Sequence, residues 1–251
     1  MLPDKKTPRT LDPRRLTMTI YGRPKIGKSS LCSYFAGDST LFLALEPGLA
    51  GLEVYQIPVH DWQTFLGAIR ELARGDHQFT TVVIDVVDEL RPLALRHVEE
   101  VDRLSVDKQS QSARAYGKAN GYISEALKLL QLSGVGIVFV SHERTHQVDE
   151  KGQIVGAFDK HTGPVREKVF PSVSGRVRDH VLGMSDCILR FAFDERTGQR
   201  IIQTKPSPHV EAGERFGILP PVIQAGNSAE EAHAALLAPF REAWKAGAGE
   251  G

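Results

Sequence analysis

The 251-residue chain is 41% hydrophobic and 25% charged, which suits one substantial globular core with at most a small appendage. Its 31 Lys+Arg balance 31 Asp+Glu, so composition supports no general attraction to nucleic acid or membrane, and any basic surface has to be local. Two cysteines far apart, Cys32 and Cys187, exclude a disulfide framework or zinc knuckle and suit a reducing cytoplasm; no apolar run is long enough for a membrane span or a signal-peptide core.

Residues 1–15 are polar and punctuated by proline, and are expected to form a flexible tail. The β-branched, apolar run 16–21 predicts a first strand ending at Gly22, with a helix over 28–36. The continuous apolar run 40–45 predicts a buried second strand. Asp61 caps a helix over 62–74, with Gly75 past its end. A third strand is expected at 80–84, ending on Asp85, then a helical stretch after Asp88 and a polar segment over 105–118. A longer amphipathic helix is expected at 120–133, and a fourth buried strand at 135–140, closing on Ser141 and His142. Strands alternating with helices imply parallel βαβ units with helices on both faces of the sheet.

Beyond Glu143 the pattern changes. Residues 145–158 and 188–204 predict hairpins, each with a glycine in its turn. A polar loop over 159–174 and a short helix near 177–184 are expected between them. The proline-rich stretch 205–224 reads as irregular, and Ser228 with Glu231 forms a capping box for a last helix to about Trp244, before a frayed end. The expected organisation is a tail (1–15), one α/β domain (16–226) and a C-terminal helix with its tail (227–251).

The strongest chemical signal is Gly22-Arg23-Pro24-Lys25-Ile26-Gly27-Lys28-Ser29, which fits G-x-x-x-x-G-K-[ST] without a mismatch. Such a loop wraps a phosphate with successive N–H groups pointing inward, and Gly27 permits dihedrals and a close approach that a side chain would obstruct. Lys28 opens the helix within reach of β- and γ-phosphates, and the Ser29 hydroxyl is placed for Mg²⁺, with Ser30 in the same turn. A glycine-bearing loop can match by chance, but here a strand precedes the motif and a helix follows it, as the chemistry requires.

Other strand ends supply further candidates. Asp85 has the position of a Mg²⁺-holding Walker B aspartate; a helix cap or turn is the alternative. Asp88 and Glu89 come too late for an adjacent Asp-Glu pair and are read as starting the next helix. Glu46 could orient and deprotonate an attacking water, or be a solvated turn residue before Pro47-Gly48. His142 could sense a γ-phosphate and move the loop behind it, or be structural.

These features in order resemble the RecA-type P-loop ATPase core, in which a glutamate ends the strand after the phosphate-loop helix and a polar residue ends the strand after Walker B. Glu46 and His142 match those positions. The resemblance implies a mostly parallel sheet with helices on both faces, hairpin additions in the C-terminal half, ATP (or another NTP) and Mg²⁺ as ligands, and catalytic roles for Lys28, Glu46 and His142. LALEPGLAG and TKPSPHVEAGERFGILP further resemble small phage and prophage P-loop proteins, some of which are single-strand annealing recombinases. That implies DNA recombination in the cytoplasm of a bacterial or phage-infected cell.

Arg215-Phe216-Gly217 is similar to a Lys-x-Arg-Phe-Gly element whose basic residues reach a neighbouring subunit's nucleotide, implying a homo-oligomeric ring or filament. Gly213 stands at the lysine position, leaving Lys205 as a substitute; a surface arginine in a turn is the alternative. In the same family, loops after the third and fourth strands contact single-stranded DNA. The corresponding segments here are 103–118 and 144–178, the second carrying Lys160, Arg166, Lys168, Arg176 and Arg178 with Phe158 and Phe170 interleaved. Asp149, Glu150, Asp159, Glu167 and Asp179 dilute that charge, so a solvated loop is the competing reading. The leading expectation is an ATPase acting on single-stranded DNA. A small-molecule phosphotransferase and a nucleotide-controlled interaction module with little turnover are the alternatives.

Overall fold

A computed structural model describes residues 4, 11–156 and 163–248, the last three as backbone only. The strands are β1 (Thr17–Gly22), β2 (Thr40–Ala44), β3 (Tyr55–Pro58), β4 (Thr81–Asp85), β5 (Gly136–Val148), β6 (Arg166–Pro171), β7 (Cys187–Phe193), β8 (Arg200–Gln203), β9 (Gly213–Glu214) and β10 (Val222–Gly226). The helices are α1 (Lys28–Ser33), α2 (Trp62–Arg74), α3 (Leu90–Val101), α4 (Gln109–Leu132), α5 (Gly175–Met184) and α6 (Ala229–Ala248). The main sheet runs β10-β8-β7-β1-β5-β4-β2-β3, parallel from β7 to β3 and antiparallel at β8 and β10.

Alternation along the central strands feeds two cores, one on each face. Leu41, Leu43, Val82, Ile84, Ile137 and Phe139 pack under α2, α3, α4 and α5. Phe42, Val83, Val138 and Val140 face the other way, with Met18 and Ile20, against α1 and α6. Both faces being covered explains why these strands read as continuous apolar runs. No helix among the described residues is long and apolar enough to cross a membrane.

Several elements differ from expectation, each for a physical reason. β3 is a four-residue edge strand, mostly exposed, with only Ile57 packed on the core, too short a pattern to read as a strand. The polar segment expected at 105–118 is helical from Gln109, because the buried stripe of α4 begins with the small residues Ala115 and Ala119. β5 continues past Ser141 to Val148, and its partner is β6, inside the segment expected to be a loop. The expected 145–158 hairpin is reduced to one bridge, Val148 with Ile154, and 157–158 lie outside the described residues. The β7–β8 hairpin forms as expected. Within 205–224, β9 pairs with β7, β10 pairs with β8, and the 209–211 backbone bonds to Val169 of β6.

At the chain ends, Pro13–Arg15 forms a 3-10 turn capped by the Asp12 side chain, and the Arg14 carbonyl accepts a hydrogen bond from Thr81 Oγ1 at 2.8 Å. Residues 1–3 and 5–10 of the expected tail lie outside the described residues. Ser228 Oγ accepts from the Glu231 N–H at 3.0 Å, and Glu231 reaches back to the Asn227 N–H at 2.6 Å, one residue before the position of an ideal capping box.

Candidate active site

Parallel neighbours end on the same side, so the carboxyl ends of β1, β5, β4 and β2 open together, where ligands of such sheets bind. β5 lies between β1 and β4, with Gly22 in register with His142, and Asp85 in register with both Val140 and Ala44. This register gathers the loop after β1, Asp85, the residue after Leu45 and His142 around one cavity of about 590 Å³.

Pro24, Lys25, Gly27, Lys28, Ser29 and Ser30 line the cavity from the loop, whereas Ile26 is buried in the core beneath. Gly27 has φ 106°, a left-handed conformation at the helix start that a side chain would strain. Gly22 is required for space: a Cβ there would lie 2.1 Å from the Phe191 carbonyl oxygen. Arg23 turns away from the cavity, donating from Nε to Glu143 Oε1 at 3.1 Å.

Lys28 is buried, and its Nζ donates to the Gly22 and Arg23 carbonyls at 2.9 and 3.0 Å. Burial pushes its pKa down; the nearby Asp85 and Asp88 carboxylates oppose that shift. Asp85 is also buried, and desolvation pushes its carboxyl up, against a hydrogen bond with the Ser29 side chain and the Lys28 charge. A serine hydroxyl and a carboxylate in contact are hard oxygen donors of the kind Mg²⁺ takes. The donor set therefore fits the ion.

Glu46 follows β2 and is half-exposed beside the cavity, its Oε2 3.4 Å from His142 Nε2. The turn carrying it is hooked onto the end of β4, where the Asp85 carbonyl accepts the Leu45 N–H at 2.7 Å. His142 Nδ1 is buried without a hydrogen-bond partner among the described residues. Its main chain is fixed by a residue read from sequence only as a helix start. Asp88 accepts the His142 N–H at 2.8 Å and the Ser141 hydroxyl at 2.7 Å. Burial raises the Asp88 pKa and these two donors lower it. Asp88 and Glu143 gave no signal in the sequence because neither directly ends an apolar run, and their partners come near only when β5 lies beside β1 and the turn after β4.

The remaining candidates lie elsewhere. Arg215 follows β9, which pairs with the start of β7; its guanidinium contacts Asp186 Oδ1 at 3.4 Å and the Gly183 carbonyl at 2.6 Å. Since β7 starts beside Met18 and the phosphate loop follows Gly22, Arg215 sits at the opposite end of the sheet from its own loop. Lys205 is paired with the fully buried carboxylate of Glu214, so it is not a free cation. Arg166 donates to the Pro208 carbonyl at 3.1 Å, and Lys168 pairs with Glu211 at 2.7 Å. Lys168 and Arg178 both lie over Phe170, at 5.1 and 5.0 Å, and that ring is buried rather than available to stack bases. Arg176 is exposed at the start of α5, while Lys160 and Phe158 lie outside the described residues.

Residues 14–216 match the model of a family described as AAA domain. No curated protein matches the chain. Among solved structures, the RadB recombinase is 14% identical with a TM-score of 0.47, covering 88% of this chain and 90% of that one. A KaiC-like protein from the archaeon Pyrococcus horikoshii is 12% identical with a TM-score of 0.43, covering 76% and 78%.

Proposed function

From the premise that this chain belongs to the AAA domain family and is a nucleotide-binding P-loop ATPase, we propose that it hydrolyses ATP with Mg²⁺ at the cavity after β1 and couples turnover to single-stranded DNA. The observation that carries the hydrolytic reading is the pairing of Glu46 with His142 across a cavity that also holds Lys28, Ser29 and Asp85.

Lys28 exchanges the Gly22 and Arg23 carbonyls for phosphate oxygens, while loop N–H groups and the α1 N-terminus hold the rest of the triphosphate. Ser29, and Asp85 through water, would hold Mg²⁺, which would neutralise phosphate charge when bound. Glu46 orients a water for in-line attack on the γ-phosphorus and takes its proton as the new P–O bond forms and the bond to the ADP oxygen breaks. His142 exchanges Glu46 for the γ-phosphate, so the presence of that phosphate decides which partner it holds.

The β5–β6 ribbon begins directly behind His142, which supports the DNA reading. Register puts Arg144, His146 and Val148 on the same face as Phe170, Lys168 and Arg166, and Arg178 joins that face over Phe170. Cations segregated on one face of a ribbon suit a polyanionic strand. Engagement of Lys168 by Glu211 and burial of Phe170 limit the interface to backbone contacts without base stacking there. We further place Arg215 in trans, at a neighbouring subunit's nucleotide in a homo-oligomer.

ATP turnover measured with and without single-stranded DNA, across a salt series, tests the reading. DNA-stimulated turnover with salt-sensitive binding supports it. Equal turnover and no binding at low salt remove the DNA half. ATP-dependent phosphorylation of added nucleotides makes the protein a phosphotransferase instead, and tight ATP binding without turnover makes it an interaction module.

A further inference from the structure

The chemistry above leaves the Glu143 carboxylate unused, although the fold surrounds it with charge. Its side chain is 12% exposed and receives two guanidinium groups, Arg23 Nε on Oε1 at 3.1 Å and Arg190 Nε on Oε2 at 3.0 Å. Alternation along β5 turns Glu143 to the opposite side of the strand from His142. Register supplies both partners: Gly22 lies beside His142, so Arg23 emerges beside Glu143, and Arg190 pairs with Tyr21 on the far side of β1. Arg190 is oriented in turn by Gln203 of β8, its Nη1 donating to Oε1 at 3.0 Å. A lone carboxylate this near a triphosphate site would repel the ligand, but two guanidiniums outnumber it and leave the cluster positive.

The consequence lies in what Arg23 does at its other end. Its side chain is held by Glu143, while its carbonyl accepts Lys28 Nζ at 3.0 Å. Pro24 follows, which disfavours helical dihedrals at residue 23 and narrows the positions its carbonyl can take once the side chain is held. We propose that Glu143 is a positioning residue for ATP hydrolysis: by clamping Arg23 it sets the first turn of the phosphate loop, and with it the point from which Lys28 reaches the phosphates. Glu143 touches neither nucleotide nor attacking water and acts only through Arg23. This rests on the reading of residues 22–29 as the phosphate loop and of Lys28 as its cation.

The test is steady-state ATP turnover, ATP affinity by calorimetry and thermal unfolding of the full chain, for Lys28→Ala, Glu143→Gln, Arg23→Ala and the last two combined. Lys28→Ala is expected to abolish turnover. Glu143→Gln lowers kcat about tenfold with a smaller change in KM, the scale of a small misplacement near the chemistry. Arg23→Ala adds little to it, because both variants break the same contact. Arg23→Lys, which keeps a cation for Glu143 and leaves the Arg190 contact in place, retains most of kcat, a conservative variant that also serves if Arg23→Ala folds poorly. Wild-type kcat in Glu143→Gln overturns the proposal. So does a loss of kcat that merely tracks the fall in Tm across the variants, as a purely stabilising pair gives, and so does a loss that adds fully to that of Arg23→Ala, which leaves the two residues uncoupled. If Lys28→Ala turns over ATP normally, the phosphate-loop reading falls and takes this inference with it.

Discussion

Asp85 is buried, so its charged form is costly, and the same charge is what would hold Mg²⁺ through water. A carboxyl whose folded pKa is raised costs nothing at low pH, where folded and unfolded forms are both protonated, and its penalty grows as pH rises through the folded pKa. Asp85→Asn removes that penalty and keeps an acceptor for Ser29. The nucleotide-free variant is therefore expected to melt above wild type at pH 7, by about 2–4 °C per kcal/mol regained, and the gain should vanish toward pH 3. Thermal melts across that range check it, and Mg²⁺-dependent ATP binding should weaken in the same variant. Glu46 separates binding from chemistry. Glu46→Gln keeps the size of the side chain and loses the base, so ATP affinity should stay near wild type while kcat drops by about 10²–10⁴. Calorimetry beside a phosphate-release assay shows whether the two quantities part. Of these residues, Lys28, Ser29, Asp85 and Glu46 were legible as a motif or as ends of apolar runs. Asp88 was not, because its task of holding the Ser141 hydroxyl and the His142 N–H exists only once β5 lies beside the turn after β4.

At the scale of elements, the parallel strands were legible because burial on both faces writes an unbroken apolar run into the sequence. α2 was legible because Asp61 caps it, accepting the Thr64 N–H at 2.8 Å, and Gly75 ends it at φ 80°. The start of α4 was hidden by its own packing, since Ala115 and Ala119 are fully buried where the helix runs against its neighbours. Small residues at a close helix contact look polar-neutral in a sequence but leave no spare volume in the fold. Ala119→Leu should therefore destabilise by about 1–3 kcal/mol through overpacking, read as a lower denaturant midpoint at unchanged slope. β6 was hidden because its partner is the part of β5 beyond the main sheet, and its alternation puts two cations with the buried Phe170 on one face and Glu167, Val169 and Pro171 on the other. If that charged face follows a DNA backbone, Arg144→Ala, Arg166→Ala and Arg178→Ala should each weaken single-strand binding. Each lost phosphate contact should flatten the salt dependence by about 0.7 in log–log slope, with ATP affinity unchanged. Binding isotherms at several salt concentrations measure that slope directly.

At the scale of the whole molecule, the sheet separates two sets of charges by its own length. The phosphate loop, Glu46 and His142 stand at the carboxyl ends of the parallel strands, and Arg215 stands beside Asp186 at the opposite ends. The backbone between them is fixed by sheet pairing: the Asp186 N–H donates to the Thr17 carbonyl at 2.7 Å, and the Arg215 N–H to the Asp186 carbonyl at 3.0 Å. Arg215 therefore cannot serve the nucleotide of its own chain without dismantling the β7 edge, and any catalytic use of it has to be in trans. The Arg-Phe-Gly resemblance suggested that use in the sequence, but its geometry could not be read there, because the segment between 205 and 224 has no periodicity and takes its place only by pairing with β7 and β8. A trans role makes a prediction that a structural role does not. Arg215→Ala subunits retain an intact site and lack the donor, whereas Glu46→Gln subunits retain the donor and lack the base. Each alone should turn over ATP slowly. Mixed in equal amounts, they should form interfaces that pair an intact Glu46 with a neighbour's intact Arg215, and turnover should rise above that of either preparation. Titrating one variant into the other at fixed total protein, with mass measured by light scattering, follows both activity and assembly. Turnover equal to the simple average at every ratio, in a preparation whose mass shows an oligomer, would confine Arg215 to its contacts with Asp186 and Gly183.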